Sequence, residues 1–473
     1  MPKCIIDGRE VEFTPGQNLI EVAKKAGIEI PFFCYHPGLT VVAQCRMCAV
    51  EVEKMPKLQT GCSTPAVEGM VVKTKSPRVL QAQKATMEFL LINHPLDCPI
   101  CDKSGECDLQ DNSFGYGDAY SRYTEERRTY LDLDMGPVIK KNMNRCIHCT
   151  RCIRFGDEIA GIREMVAVQR GNNTEITTID GNPLQTEYAG NYADICPTGS
   201  LTLKEFRFKK RAWMLKKTPT VCEGCSRGCN MEIHQDAGVI YRCVPRENLE
   251  INRYWLCDEG RFNFNYLHAE DRITQPVLEE QGQLKSVEWA QALESAKKAL
   301  KGQKVAVLVG SDLTQEEAAV LLQFLPQHLP GSQVFHFGTP GVVSSKDDGH
   351  ADTILKMKSK TANLNGLERL GIPGFTQMPA GVTAVLVLRG GRAVLPALPQ
   401  VASVGVGVFS QAEASRFSVV LPGAGFAEKD GSIVNFQGRE QRFKQAILPP
   451  GQCKPLSEVL MMWVNSKATS GAA

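Results

Sequence analysis

The sequence predicts a multidomain protein, α+β in its cysteine-rich first half and α/β in its second. Three observations carry that expectation. Seventeen of the eighteen cysteines lie before residue 258. The chain opens on short strand, turn and helix patterns, and its second half alternates apolar strand-length runs with helical stretches, as a layered sheet does. At 473 residues and 43% hydrophobic, it holds enough apolar mass for several buried cores.

The first expected domain spans 1–78. Ile5 and Ile6 face Arg9 to Phe13 across Asp7-Gly8, a hairpin turn pair, and Asn18 to Ala26 reads as a short amphipathic helix. That order suits a ferredoxin-like β-grasp. Within it stand Cys34, Cys45, Cys48 and Cys62, with ten, two and thirteen residues between them. Four thiolates are what a 2Fe-2S cluster needs, although the plant type leaves four residues, not ten, after its first ligand. Zinc is the plain alternative, because a lone Cys-x-x-Cys often marks a structural zinc site. Ser63 and Thr64 either hydrogen-bond toward the cluster at Cys62 or form a solvated turn.

The second expected domain, 79–118, carries His94, Cys98, Cys101 and Cys107 in the run His94-Pro-Leu-Asp-Cys-Pro-Ile-Cys-Asp-Lys-Ser-Gly-Glu-Cys107. The spacing folds three thiolates around one point, and His94 can supply a nitrogen ligand. An imidazole in place of a thiolate makes a 4Fe-4S cluster less negative and tends to raise its potential. The third, 119–217, holds Cys146-x-x-Cys149-x-x-Cys152 and, after 43 residues, Cys196-Pro197. In two-cluster ferredoxins a further cysteine follows the triad after three residues and serves the other cluster. Gly156 stands there, so this segment closes one 4Fe-4S cluster.

The fourth expected domain, 218–275, has Cys222-x-x-Cys225-x-x-x-Cys229 and Cys257. Four thiolates suit a 4Fe-4S cluster or zinc alike. Fifteen cysteines and one histidine then supply sixteen ligands, leaving Cys4, Cys243 and Cys453 as packed or surface thiols. In 276–473, the runs Val305 to Val309, Val382 to Leu388, Val404 to Phe409 and Phe417 to Leu421 alternate with helical stretches such as Thr314 to Phe324. These imply an α/β scaffold.

Composition narrows the function classes. A net charge of +2 with both signs spread along the chain gives little support to a nucleic-acid binder and suggests embedding in an assembly. The densest basic stretch, Arg207, Lys209, Lys210, Arg211, Lys216 and Lys217, reads as a solvated face. No run of eighteen apolar residues occurs, so a membrane span is not expected. Met1 to Gly8 carry no secretory or transit pattern, which points to a cytoplasmic bacterial protein. Cysteines in such a chain are expected as metal ligands, not disulfides. Gly390-Gly391 and Gly405-Val-Gly407 lack the glycine spacing of a dinucleotide fingerprint, and no catalytic nucleophile-base arrangement is visible.

Taken in order, these groups resemble the large iron-sulfur subunit of bacterial NADH-quinone oxidoreductase, respiratory complex I. The resemblance covers about the first 270 residues and rests on Cys45-Arg-Met-Cys48, the His94 to Cys107 run, Arg145-Cys-Ile-His-Cys-Thr-Arg-Cys-Ile-Arg154 and Gly190-Asn-Tyr-Ala-Asp-Ile-Cys-Pro197. Cys257-Asp-Glu-Gly-Arg-Phe262, Asp271-Arg-Ile-Thr-Gln-Pro276 and Glu428-Lys-Asp-Gly-Ser-Ile-Val-Asn-Phe-Gln-Gly-Arg439 resemble parts of the molybdopterin oxidoreductase fold, which implies a truncated domain of that kind at the C-terminal end. Molybdenum enzymes of this class typically carry a lysine two residues after the last ligand of the fourth group, where this chain has Glu259. No molybdenum or pterin is therefore expected.

The resemblance implies a 2Fe-2S cluster and three 4Fe-4S clusters, with no catalytic site in this chain. Its implied partners are a flavin-bearing NADH dehydrogenase subunit with a 2Fe-2S companion, then 4Fe-4S ferredoxin-like and quinone-module subunits of the peripheral arm, with the membrane arm reached only indirectly and no nucleic acid. It implies a peripheral subunit at the cytoplasmic face of the bacterial inner membrane. Iron hydrogenases and formate dehydrogenases have similar front ends, and an iron-sulfur subunit of an NAD-linked hydrogenase or formate dehydrogenase complex is the alternative.

Overall fold

The computed structural model describes residues 1–466; the end of the expected 276–473 domain, 467–473, lies outside the described residues. The chain folds into two units, Met1–Met214 and Leu215 onward.

In the first unit, β1 (Lys3–Ile6) and β2 (Arg9–Glu12) form the antiparallel hairpin. Asp7 and Gly8, with φ of 47° and 81°, supply the left-handed pair that such a tight turn requires. Helix α1 (Leu19–Lys25) starts at a capping box: the Glu21 N–H donates to the Asn18 side chain, and Glu21 accepts from the Asn18 N–H. Strands β3 (Ala49–Val52), β4 (Gln59–Thr60) and β5 (Val71–Lys73) complete a sheet of order β2-β1-β5-β3-β4, with β1 and β5 parallel. Sheet and helix enclose Ile6, Phe13, Leu19, Val22, Val50 and Val72, the expected β-grasp.

Helix α2 (Pro77–Leu91) is capped by Ser76 and opens on proline, whose missing N–H costs nothing in a first turn. α3 (Asp108–Tyr116) follows, then β6 (Leu133–Asp134) and β7 (Ile139–Lys141). α4 (Arg151–Phe155) widens into a π-helical turn over Gly156–Ala160. β8 (Met165–Val168) and β9 (Glu175–Thr178) pair as a hairpin, α5 (Gly190–Ile195) follows, and β10 (Leu201–Leu203) completes a sheet of order β10-β7-β6.

The second unit opens with an antiparallel sheet of β11 (Lys216–Val221), β12 (Asn230–Asp236) and β13 (Val239–Pro245), followed by the short α6 (Asp258–Arg261). Its α/β part runs β14 (Val277–Glu280), β15 (Gln283–Ser286), α7 (Trp289–Leu300), β16 (Val305–Gly310), α8 (Gln315–His328), β17 (Gln333–Phe337), α9 (Leu364–Arg369), β18 (Ala384–Arg389), β19 (Ala402–Gly407), α10 (Gln411–Ala414), β20 (Val419–Pro422), β21 (Gly431–Val434), β22 (Glu440–Phe443) and α11 (Leu456–Asn465). Seven strands form one sheet in the order β15-β14-β20-β19-β18-β16-β17, parallel from β20 to β17.

Both faces of that sheet are covered, which explains the unbroken apolar runs. Val307, Leu386 and Val404 enter one core with α7, α8 and α11, while Leu308, Val387 and Val420 enter another with Phe409 and Phe417. Two strands start later than their apolar runs, because Val382 and Phe417 pack into the core ahead of the ladder. Among the described residues no helix is long and apolar enough to cross a membrane.

Candidate iron-sulfur sites

In the first group Cys34, Cys48 and Cys62 are buried and Cys45 is half-buried. The loop before β3 turns through left-handed Ala43 and Arg46, with φ of 52° and 63°. This lets the Cys34 N–H point at Cys45 Sγ, 3.5 Å away. The thiols touch in sequence: hydrogen bonds from Cys45 and Cys62 hold Cys34 below its ordinary value, and one from Cys62 lowers Cys48. Cys45 and Cys62 are raised by the same contacts. The Ser63 and Thr64 hydroxyls both turn to Thr60, Thr64 Oγ1 donating to its carbonyl at 2.9 Å, so of the two sequence readings the turn prevails over a bond to Cys62.

The second group sits between α2 and α3. Cys98 opens a single 3₁₀ turn, Cys107 precedes the first turn of α3, and Cys101 and Cys107 are buried. Burial pushes the Cys107 thiol up to about 11 and holds the His94 imidazole down to about 4, so His94 is neutral at pH 7, as a metal ligand must be. His94 Nδ1 is buried without a hydrogen-bond partner among the described residues. His94, Cys98 and Cys107 line one open pocket. Arg145 holds the loop through Asp97 at 2.6 Å, and Arg211 donates to the Cys101 carbonyl at 2.7 Å. The basic stretch is thus not simply a solvated face: Arg211 turns inward and Arg207 pairs with Asp132 at 2.6 Å, because acceptors far away in sequence lie against them.

In the third group, left-handed His148 and Thr150, with φ of 55° and 60°, separate the three triad cysteines. Cys146, Cys149, Cys152 and Cys196 all line one small cavity together with Lys141, Met165, Ile176 and Leu201. The His148 N–H donates to Cys146 Sγ at 3.4 Å. Burial raises Cys146 to about 11, Cys149 to about 12 and Cys152 well above the ordinary thiol value. A bound metal would displace those protons, since thiolate is the ligating form.

The third group touches both of the first two. Arg154, buried, donates to the Cys34 carbonyl at 2.5 Å and to the Cys149 carbonyl at 3.3 Å. On the other side, Cys107 Sγ lies 3.6 Å from the Pro197 carbonyl, and a Cβ on Gly199 would overlap Cys101 Sγ.

In the fourth group all four cysteines are buried. The Gly224 and Gly260 N–H groups donate to Cys222 and Cys257 Sγ, each at 3.3 Å. A Cβ on Gly260 would stand 2.9 Å from Cys222 Sγ and 3.4 Å from Cys257 Sγ, so only glycine leaves the space between these thiols open. Burial raises Cys257 to about 12 and lifts Cys222 and Cys229 well above the ordinary thiol value. Glu259 pairs with Lys360 at 2.7 Å and Arg392 at 3.5 Å. Among the described residues, no three His, Cys, Asp or Glu side chains are gathered closely enough to hold a single metal ion.

Cys4, Cys243 and Cys453 are buried thiols. Sequence reasoning missed Lys141, Arg145, Arg154, Gly199 and Gly260. Arg154 stood inside a quoted motif, but nothing in its spacing marked it as a bridge.

Residues 3–77 match the 2Fe-2S iron-sulfur cluster binding domain. Residues 83–122 match the NADH-ubiquinone oxidoreductase-G iron-sulfur binding region, and 136–202 the NADH-quinone oxidoreductase subunit 3, ferredoxin-like domain. Residues 215–269 match the molybdopterin oxidoreductase Fe4S4 domain and 404–462 the molybdopterin oxidoreductase family. The chain is 45% identical over 332 residues to the NADH-quinone oxidoreductase G subunit of Rickettsia felis, covering 70% of this chain and 49% of that protein. It is 38% identical over 359 residues to the NADH-ubiquinone oxidoreductase 75 kDa subunit of Reclinomonas americana, covering 75% and 52% respectively. A solved NAD+-reducing [NiFe]-hydrogenase chain shares 29% identity, with a TM-score of 0.39 over 44% of this chain and 90% of that one. The chain spans about half the length of the curated relatives it matches.

Proposed function

The chain is a homologue of the large iron-sulfur subunit of NADH-quinone oxidoreductase, and from that premise we propose that it relays electrons from a flavin-bearing NADH module toward quinone as one subunit of a larger complex. Its 2Fe-2S and 4Fe-4S binding domains hold clusters which, when bound, accept and release single electrons at potentials set by ligand type, charge, hydrogen bonds to sulfur and exposure. The proposed ligands are Cys34, Cys45, Cys48 and Cys62 for a 2Fe-2S cluster. His94, Cys98, Cys101 and Cys107, then Cys146, Cys149, Cys152 and Cys196, then Cys222, Cys225, Cys229 and Cys257, are proposed for three 4Fe-4S clusters.

The observation that carries this reading is the cavity bounded by Cys146, Cys149, Cys152 and Cys196, with the first group bound to it through Arg154 and the second through Pro197 and Gly199. The chain's own residues join the groups in the order first, third, second, which supports conduction between them. The fourth group, in the second unit, serves stability, since metal binding to a site absent from the unfolded chain adds to folding free energy. We assign residues 1–78, 79–118, 119–217, 218–275 and 276–473 as its five domains, propose that the chain lies at the cytoplasmic face of the inner membrane, and take its partners to be the flavin-bearing subunit with its 2Fe-2S companion and the ferredoxin-like and quinone-module subunits.

Elemental analysis of the anaerobically purified chain tests the reading. One 2Fe-2S and three 4Fe-4S clusters give about 14 iron atoms per chain. About ten with one zinc would make the fourth group a zinc site, and stoichiometric molybdenum would replace the conducting role with a catalytic one.

A further inference from the structure

Lys141 ends β7, the central strand of the β10-β7-β6 sheet, in register with Leu201 on one side and Leu133 on the other. Its side chain is 1% exposed. Long, strongly hydrated ammonium groups are rarely sealed in this way unless something compensates them. Among the described residues nothing does so fully. The Nζ has no hydrogen-bond partner among the described residues, and its nearest carboxylate, Glu175 Oε1, is 3.8 Å away, too far for a hydrogen bond.

The same side chain lines the cavity bounded by Cys146, Cys149, Cys152 and Cys196. The rest of that wall is mostly apolar, with Ile147, Met165, Ile176 and Leu201, so the local dielectric is low and a single charge acts strongly there. The charged or titratable groups that face Lys141 include Cys146, Glu175, Cys152 and His148; burial lowers the Lys141 ammonium, and Cys146, Glu175 and Cys152 raise it. A buried cation only partly compensated by Glu175, beside four converging thiols, is complementary to a net negative occupant that carries hydrogen-bond-accepting sulfur.

We propose that Lys141 is a positioning and field-setting residue for the third group, its ammonium donating toward the cluster sulfur and stabilising the reduced state. This rests on the reading that the third group holds a 4Fe-4S cluster, and it adds a side chain that no ligand pattern identifies. The step concerned is the uptake of one electron from a chemical reductant such as dithionite. No bond forms or breaks and no proton moves; the cluster becomes one unit more negative, and a fixed positive charge in a low-dielectric wall favours that state over the oxidised one.

The test is a redox titration of the full chain, purified anaerobically, followed by electron paramagnetic resonance and iron analysis, for the native protein, Lys141→Met, Lys141→Arg and Glu175→Gln. Methionine keeps the length and removes the charge. The expected result is that Lys141→Met disfavours reduction of the third-group cluster by about tenfold or more, a downward shift of about 59 mV for one electron. Lys141→Arg is expected to restore the native midpoint, with the 2Fe-2S midpoint unmoved throughout. If Lys141→Met instead loses that cluster's iron while Lys141→Arg keeps it, the charge is still what holds the site and the proposal stands.

A merely structural pairing with Glu175 predicts equal losses of thermal stability in Lys141→Met and Glu175→Gln and an unmoved midpoint; that result overturns the proposal. Loss of the cluster in both lysine variants overturns it too, because shape and not charge would then be at stake. A native chain with no third-group signal would sink the cluster assignment itself, and this inference with it.

Discussion

The Tyr192 hydroxyl occupies the space that a side chain on Gly156 would need: a Cβ there would stand 2.9 Å from Tyr192 Oη and 3.0 Å from the Ile162 carbonyl oxygen. Tyr192 is fully buried and packs edge-on against Phe155 at 5.0 Å. The position that would supply a second-cluster cysteine is therefore filled from across the fold, by a ring that cannot easily withdraw. Gly156→Ala is expected to destabilise the first unit by about 1–3 kcal/mol through overpacking, read by chemical denaturation. Gly156→Cys is expected to add no iron; an extra four irons per chain would contradict the argument.

Arg154 ties the first group to the third. Replacing it with glutamine removes donors to the Cys34, Cys149 and Thr40 carbonyls at once, and lysine cannot restore the planar fork. Both variants are expected to lose about 3 kcal/mol or more. The paramagnetic signals of the first-group and third-group clusters should weaken together while those of the second and fourth persist. Independent loss of one signal would show that the bridge is not shared.

Gly260 separates Cys222 from Cys257. Gly260→Ala is expected to cost the chain about four irons, those of the fourth group, and to lower its melting temperature. Unchanged iron with unchanged stability would show that the two thiols have room to part.

His234, 3% exposed, is held neutral: burial and the neighbouring Arg242 bring it down to about 4 from an ordinary 6.5, and Arg242 Nε donates to its Nδ1 at 3.0 Å. Between those two values the unfolded chain binds a proton that the folded chain does not, so this group's contribution is complete above pH 6.5 and is lost as pH falls toward 4. At about 1.4 kcal/mol per pH unit the full loss is about 3 kcal/mol. Denaturation of the native chain and His234→Gln between pH 4 and 7.5 should show a shallower acid slope in the variant.

Much of this was legible in the sequence because it was local. The triad at Cys146, Cys149 and Cys152 and the later Cys196 converge on one cavity, and ligand spacing is a short-range constraint that survives in the linear chain. The hairpin at Asp7-Gly8 and the doubly covered strands were readable for the same reason, from turn chemistry and from apolar runs. What the sequence withheld is long-range. Arg154 and Cys34 are separated by 120 positions, and Arg211 and Cys101 by 110; an arginine that will face a carbonyl looks, in sequence, like one that will face water. Lys141 carried no signal because its meaning comes from burial, which its own residue type argues against.

The closure of the thiol sites also sets a timetable. Cys152, Cys222 and Cys229 are enclosed, with burial holding their protons in place, and the walls around them include strand and helix residues brought from distant parts of the chain. A polypeptide that reached this shape before its clusters would hold those thiols protonated and out of solvent, the form least able to take up iron. Loading is therefore expected to be fastest while the walls are still apart, so that slowing chain closure raises the fraction of finished copies that carry clusters.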